Sequence, residues 1–364
     1  MGRCAAFNDD LISDAKAAGG EKYAELCALV YRQAISAHKL CVGKDGDLLF
    51  PSKENHSNGS IGTVDLSYPS SPLFLYYNPE LCKGLINHIF YYSESGRWTK
   101  PFAAHDIGTY PIGNGQTYGG DMPIEESGNM LILCAALAEV EGNADYADRH
   151  WQTLTTWADY LVDNGLDPEN QLCTDDFAGH FTHNANLSIK AVMGIASYAK
   201  LAEMLGKSEE ASRYMKTARE MALEWKTMAH DGDHYKLTFD KPDTWSQKYN
   251  LVWDKVLGFN IFDPEIARTE IAYYLTKQNE YGLPLDSRET YTKSDWIMWS
   301  ACMAEDRADF NALTDPIWKY ANETESRVPL SDWHETVTGR MINFKARSVV
   351  GGYYMKMLAD RLLK

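Results

Sequence analysis

The sequence predicts an all-α fold, a closed ring of six helical hairpins forming an (α/α)6 toroid. Segments of helical period alternate between one-sided and wholly apolar types, and the connections between them alternate between short and long. One-sided helices cover a surface and wholly apolar ones are buried all round, so the alternation describes two concentric layers.

Outer helices are predicted over 21–40, 79–93, 144–163, 208–229, 264–278 and 307–321. In the first, Tyr23, Leu26, Cys27, Val30, Ala34 and Ile35 share one face while Lys22, Glu25, Arg32 and Lys39 point elsewhere. Several of the others open on Asn-Pro, Asp-Pro or Gly-containing turns. Inner helices are predicted over 71–77, 127–140, 185–204, 251–261, 295–304 and 346–362, the second, third and sixth being apolar on nearly every side. The outer-to-inner connections, 41–70, 95–124, 165–184, 231–250, 279–294 and 323–345, are long, and the inner-to-outer ones are short. In a ring of hairpins the long connections emerge at one end, beside the N-termini of the inner helices. Loops of that length in a compact domain are usually functional. The first of them, with LLF, IGTVDLSY and several glycines, is expected to contain a small β-hairpin.

Apolar residues make up 45% of the chain and aromatics 12%, enough for a large core, which excludes general disorder. Thirty-five basic against fifty-one acidic side chains give a formal charge of -16, which repels nucleic acid and anionic membranes, so neither is an expected partner. No stretch reaches about 18 apolar residues and the start lacks an apolar run of signal-peptide length. Seven scattered cysteines without CxxC spacing read as buried thiols.

The long connections and their edges combine carboxylates, aromatics and a few bases, the composition of a ligand cleft. The first offers Asn58 and Asp65; the second His105, Asp106, Glu125 and Glu126; the third Asp175, Asp176, His180 and His183. The fourth offers Trp253, Asp254 and Lys255; the fifth Asp286, Arg288, Asp295 and Trp296; the sixth Asp332, Trp333 and Arg347. Carboxylates in an aromatic cleft serve as acid and base when burial or mutual repulsion separates their pKa values. Aspartate is equally a preferred helix N-cap, and Asp254 and Asp295 sit where caps of inner helices belong. Glu125 and Glu126 likewise suit the positive end of a helix dipole. His180 and His183 could hold a metal together with Asp176, but no further ligand spacing supports this. No cofactor is therefore expected, and a divalent cation among the surplus acids stays open. Arg288 and Arg347 fit either a bidentate grip on a substrate carboxylate or pairing with neighbouring acids. No nucleotide-binding or metalloprotease fingerprint stands in a supporting context, and no nucleophilic Ser, Thr or Cys stands with a base.

Six strings, PFAAHDIGTYP, MPIEESGNML, NQLCTDDFAGHFTHNANLSIKA, TWSQKYNLVWDK, GLPLDSRETYTKSDW and ARSVVGG, together resemble the six-helical-hairpin domain of the glutaminase A family. That group is similar in fold to the (α/α)6 toroid glycosidases. The resemblance runs from about residue 8 to the end, and departs where only Asp121 separates Gly120 from Met122. It implies a hydrolase acting on a side-chain amide such as that of glutamine. The alternatives are an inverting glycoside hydrolase on the same toroid, with an oligosaccharide substrate, and a non-catalytic ligand-binding domain. By analogy with toroid glycosidases, the acid comes from the third long loop and the base from the sixth. This implies that Asp176, beside Asp175, protonates the leaving group and Asp332 activates water, with Glu126 and Asp106 as a reserve pair. Arg288 or Arg347 would grip the substrate carboxylate. The resemblance also implies that residues 1–364 are one toroid domain of a larger protein with preceding β-rich domains, in a secreted or periplasmic setting.

Overall fold

The computed structural model describes residues 2–173, 179–326 and 328–363. In chain order the helices are α1 (Gly2–Gly19), α2 (Glu21–Ser36), α3 (Val64–Tyr77), α4 (Pro79–Glu94), α5 (Pro123–Glu141), α6 (Asp145–Asp148) and α7 (Trp151–Asn164). They continue with α8 (Ala185–Met204), α9 (Ser208–Ala229), α10 (Val252–Val256), α11 (Pro264–Lys277), α12 (Ser294–Ala301), α13 (Arg307–Glu323) and α14 (Met355–Leu362). A 3-10 turn (Tyr249–Leu251) leads into α10, and a 3-10 segment (Ser348–Tyr354) leads into α14.

The apolar segments form the inner layer, and that layer closes on itself. Helix α3 packs on α5, α5 on α8, α8 on the turn 249–251, that turn on α12, α12 on the segment 348–354, and that segment back on α3. Glycines set the closest approaches: a Cβ on Gly194 would lie 3.1 Å from Gly128 Cα, and one on Gly351 would lie 2.6 Å from the Ser70 carbonyl oxygen. Helices α2, α4, α7, α9, α11 and α13 form the outer layer, each with one buried stripe. Their starts follow local rules: Pro79 and Pro264 occupy first-turn positions, and Asp263 and Asp306 accept hydrogen bonds from the backbone N–H groups of Glu265 and Asp309.

Four boundaries differ from expectation. Helix α1, whose buried positions are only Leu11, Ala15, Ala18 and Gly19, is too weakly one-sided to be read as a helix in advance, and it packs against α2, α13 and α14. Helix α3 starts at Val64 rather than 71, because Pro69 and Pro72 disguise it. Pro72 cannot donate to the Tyr68 carbonyl, and the Ser71 hydroxyl does so instead at 2.8 Å. Helix α5 starts at Pro123, which puts Glu125 and Glu126 in its first turn, and α10 stops at Val256.

The long connections lie beside the inner-helix N-termini and are laced in a cycle. Ile107 N–H donates to the Ile61 carbonyl at 3.1 Å, Ile124 N–H to the Gln171 side chain at 3.0 Å and Phe239 N–H to the His183 carbonyl at 2.9 Å. Gln247 N–H donates to Leu285 at 2.9 Å, and the Asn55 side chain donates to Ala346 at 2.9 Å, which joins the sixth connection to the first. The fifth and sixth are joined by strands β5 and β6, described below with the site. Strands β1 (Cys41–Val42) and β2 (Leu48–Leu49) supply the hairpin expected in the first connection. Strands β3 (His230–Asp231) and β4 (His234–Tyr235) make another in the fourth. Among the described residues no helix is long and apolar enough to cross a membrane. Cys4 and Cys41 are exposed, unlike the other five cysteines, which are buried as expected.

Candidate active site

Strand β5 (Tyr291–Lys293) runs antiparallel to β6 (Trp333–Glu335), with Lys293 opposite Trp333. This register sets Lys293 beside Asp332, the residue that precedes β6. Lys293 Nζ stands 2.9 Å from Asp332 Oδ2 and 3.1 Å from Asp295 Oδ1, so one buried ammonium is shared by two buried carboxylates. Arg347 follows Ala346, whose φ of 60° lies in the left-handed region unusual for a residue with a side chain. Its guanidinium lies 3.8 Å from Glu54 and 3.9 Å from Asp332, both too long for hydrogen bonds. Its Nε has no hydrogen-bond partner among the described residues.

Burial drives both aspartates toward the neutral form, and the cations decide between them. At Asp332 the attraction of Lys293 and Arg347 outweighs burial and holds the carboxyl below the usual range. At Asp295 burial wins over Lys293, helped by repulsion from Asp332, and the carboxyl is pushed up. Glu54 is also raised by burial, which Arg347 offsets only in part.

A second cluster faces this one across the cleft. His105 lies between two carboxylates, with Nδ1 2.8 Å from Asp106 Oδ2 and Nε2 3.5 Å from Asp65 Oδ1. Burial disfavours the imidazolium, yet Asp65 and Asp106 outweigh it and raise the His105 pKa. Asp106 also accepts from the backbone N–H groups of Gly108 (2.7 Å), Thr117 (3.0 Å) and Tyr118 (3.2 Å). Despite burial, these partners hold Asp106 below the ordinary carboxylate range. Its oxygens are taken up in orienting His105 and the second connection, and it does not line the cleft beside Asp65 and His105. Glu126 is fully buried and accepts from the Asn129 amide at 2.9 Å. Burial first, then repulsion from Asp65 and Glu125, pushes its carboxyl well up. Glu125 is paired instead with Lys190, at 2.5 Å, inside the α5–α8 contact. Lys190 also lies 4.0 Å above the Tyr68 ring. Glu125 is thus a core residue and not part of the cleft wall.

Between the clusters is a cleft of ≈ 200 Å³. Asp65, His105, Lys293 and Arg347 supply its polar lining, and Trp296, Trp333, Phe344 and Tyr118 its aromatic walls. Tyr118 stacks on His105 at 4.2 Å and Trp296 on Tyr249 at 3.9 Å, so both walls are braced from behind. Asn58 stands at the exposed rim, its side-chain oxygen accepting from Ser60 N–H at 2.9 Å.

The remaining expected site residues that are described do not line this cleft. Asp175 and Asp176 fall outside the described residues. His180 is exposed, and His183 pairs with Asp167 at 2.7 Å. Arg288 is engaged by Asp286 at 2.5 Å and by the Gly179 carbonyl at 2.6 Å, which ties the fifth connection to the third. Of the two expected readings for Arg288, pairing with a neighbouring acid is the one observed. Trp253 belongs to the core, edge-on to Trp299 at 5.5 Å, because α10 turns it inward and away from the cleft. Lys255 points to the other end of the ring, 3.3 Å from the Ala304 carbonyl.

Asp254 does not cap an inner helix N-terminus. It accepts from the N–H groups of Ile261 (3.0 Å) and Phe262 (3.3 Å) beyond α10, and burial raises its carboxyl to about 6. Unfolded, it ionises near pH ~3.9, so between about pH 4 and 6 the folded state holds more protons and rising pH weakens folding. Above that window the ionised group costs about 2 to 3 kcal/mol. Asp254→Asn is therefore expected to be at least as stable as the parent at pH 7.5, and less favourable relative to it at pH 4. Urea melts at the two pH values check this, and a variant that is worse at pH 7.5 than at pH 4 contradicts it.

Five contributors escaped the sequence reading: Glu54, Tyr118, Asn129, Lys190 and Phe344. Lys190 and Asn129 carried a signal, as polar residues in helices apolar on nearly every side, where they demand buried partners. Glu54, Tyr118 and Phe344 sit in connections with no distinguishing pattern.

A ring of six hairpins with buried carboxyls of lowered and raised pKa gathered over its inner-helix N-termini defines a toroid of the six-hairpin glycosidase type. More narrowly, the chain belongs to the family of the glutaminase A six helical-hairpin domain, whose model matches residues 20–357. Glutaminase A of Aspergillus oryzae (strain ATCC 42149 / RIB 40) is 35% identical over 361 residues, covering 96% of this chain and 52% of that protein. The chain spans about half the length, 52%, of the curated relatives it matches. Among solved structures, a glycosidase variant in complex with glucose is similar with a TM-score of 0.65 at 13% identity, covering 94% of this chain and 97% of that one. A mannosylglycerate hydrolase from Thermus thermophilus in complex with glucose gives 0.59 at 10%, covering 92% and 99%. At such identities the structural likeness is one of fold.

Proposed function

We propose that this chain is a hydrolase that cleaves the side-chain amide of a small amino-acid substrate such as glutamine. The observation that carries the reading is Arg347, whose Nε has no hydrogen-bond partner among the described residues, beside Asp332, which is held below the usual carboxylate range, in a cleft of ≈ 200 Å³. That is below the roughly 300 to 1,000 Å³ of pockets for larger ligands. Arg347 would hold the substrate carboxylate and Asp332 would draw a proton from water as it attacks the amide carbon. The carbon–nitrogen bond then breaks, and the departing nitrogen takes a proton from Asp176, the acid suggested by analogy with toroid glycosidases. Water and amide become carboxylic acid and ammonia, which ionise to carboxylate and ammonium, and the proton taken up by Asp332 balances the one given by Asp176. The family match and the name of the Aspergillus relative support amide chemistry.

The aromatic walls favour a second reading, since Trp296 and Trp333 would also suit a sugar ring in an inverting glycoside hydrolase. Ammonia release from glutamine, measured beside sugar release from an oligosaccharide panel, separates the two. Ammonia release abolished in Asp176→Asn is the expected result. Turnover of sugars alone establishes the second reading, and saturable binding without turnover on either panel points to a non-catalytic domain.

A further inference from the structure

We propose that Asp65, His105 and Glu126 bind one divalent transition-metal ion of the zinc class at the floor of the cleft. The site does not depend on amide hydrolysis, which was argued from Asp332 and Arg347. Its donors come from three separate elements, α3, the second long connection and α5, and each offers one ligand atom within 4.8 Å of the others. The His105 Nε2 to Asp65 Oδ1 distance is 3.5 Å. Two ligands of a tetrahedral zinc ion, each at about 2.0 to 2.1 Å, stand about 3.4 Å apart.

Three further features are independent of that spacing. Asp106 accepts from His105 Nδ1, so in the neutral imidazole the Nε2 lone pair is the one on the Asp65 side, and Asp106 is itself fixed by three backbone N–H groups. A carboxylate behind a histidine is the usual outer support of a metal ligand, setting its tautomer and ring orientation. Glu126 is completely buried, and while Asn129 holds its Oε2, its Oε1 has no hydrogen-bond partner among the described residues. Asp65 Oδ1 is in the same condition. Buried carboxylate oxygens without donors, on side chains whose ligand atoms lie within 4.8 Å of one another, call for a positive charge among them. Lys190, the cation that acts on Glu126, is occupied by Glu125 and Asn129. Finally, Asp65 and His105 both line the cleft, so a further coordination position opens to whatever binds there, as in sites where three protein ligands leave one place free.

A proton shared between Glu126 and Asp65 would also relieve the crowding, and Glu126→Gln distinguishes the two, since glutamine keeps a donor but loses the anionic ligand. The full chain, stripped with chelator and dialysed, is titrated with Zn²⁺ by calorimetry and with Co²⁺ by visible absorption. One ion per chain is expected, with affinity reduced at least tenfold in Asp65→Asn, His105→Gln and Glu126→Gln, and by about 10- to 100-fold in Asp106→Asn. His234→Gln, which alters a histidine flanked by Asp231 and Asp233 on the β3–β4 hairpin, leaves binding unchanged. Far-ultraviolet circular dichroism identifies any variant that has not folded. Asp65, the most accessible of the three ligands, gives the variant least disturbed in packing. The proposal is overturned by the lack of saturable binding near one ion per chain, by unchanged affinity in folded Asp65→Asn, or by full affinity in Glu126→Gln.

Discussion

Replacing Lys190 by methionine is expected to lower the free energy of unfolding by about 3 to 5 kcal/mol, the range for removing one partner of a buried ion pair. Lys190 is fully buried in α8 and its Nζ meets Glu125 at 2.5 Å and the Asn129 oxygen at 2.6 Å. Methionine nearly matches the lysine stem, so packing changes little. What is lost is the compensating charge. Glu125, also buried, is left uncompensated, and Asn129 loses its donor. The double variant Lys190→Met/Glu125→Gln removes both charges and should regain most of the deficit, because a neutral amide in the same place needs only hydrogen bonds. Urea unfolding with unchanged slope provides the measurement. A single variant within 1 kcal/mol of the parent would mean that Glu125 takes up a proton at little cost.

The same network explains how far the molecule was legible from its sequence. The two-layer ring was, because helix burial is written in the periodicity of long segments such as 127–140 and 185–204, where nearly every face is apolar. Where local chemistry interferes with that periodicity, the boundaries moved: the two prolines hid the first turns of α3, and with them the fact that Asp65 projects from a rigid helix rather than a loop.

The site was legible as a set of loops and far less as a set of partners. Asp332, Arg347, His105 and Asp65 were singled out because they stand in long connections rich in acids and aromatics. That Lys293 would be shared between Asp295 and Asp332 depends on the β5–β6 register, a pairing between segments some forty residues apart with no motif at either end. Arg288 and Arg347 looked equivalent in sequence. The difference is that Asp286, two residues from Arg288, captures its guanidinium, whereas the acids nearest Arg347 stand beyond hydrogen-bond reach. Trp253 was misplaced for a related reason, since a tryptophan at a loop edge and one in the first turn of a short inner helix have the same local sequence signature.

Asp332→Asn is expected to reduce kcat by about 10² to 10⁴-fold, the usual contribution of a general base. The protein should still fold, because Lys293 keeps Asp295 as a buried partner at 3.1 Å. The pH profile makes the test specific to the base role. Burial alone would raise the Asp332 pKa, while Lys293 and Arg347 bring it below the usual range, so the parent keeps its ionised base, and its activity, into acid that would protonate an ordinary carboxylate. Removing the ammonium in Lys293→Met takes away the nearer of those two cations. The acid limb of the kcat/KM profile should then move to higher pH, with activity lost on the acid side first and partly retained near neutrality. A purely structural role for Lys293 would lower activity equally at every pH and leave the limb where it was. Ammonia release from glutamine between pH 3.5 and 8 reads both outcomes, and an unshifted limb, or an Asp332→Asn variant that is folded and fully active, removes Asp332 as the base.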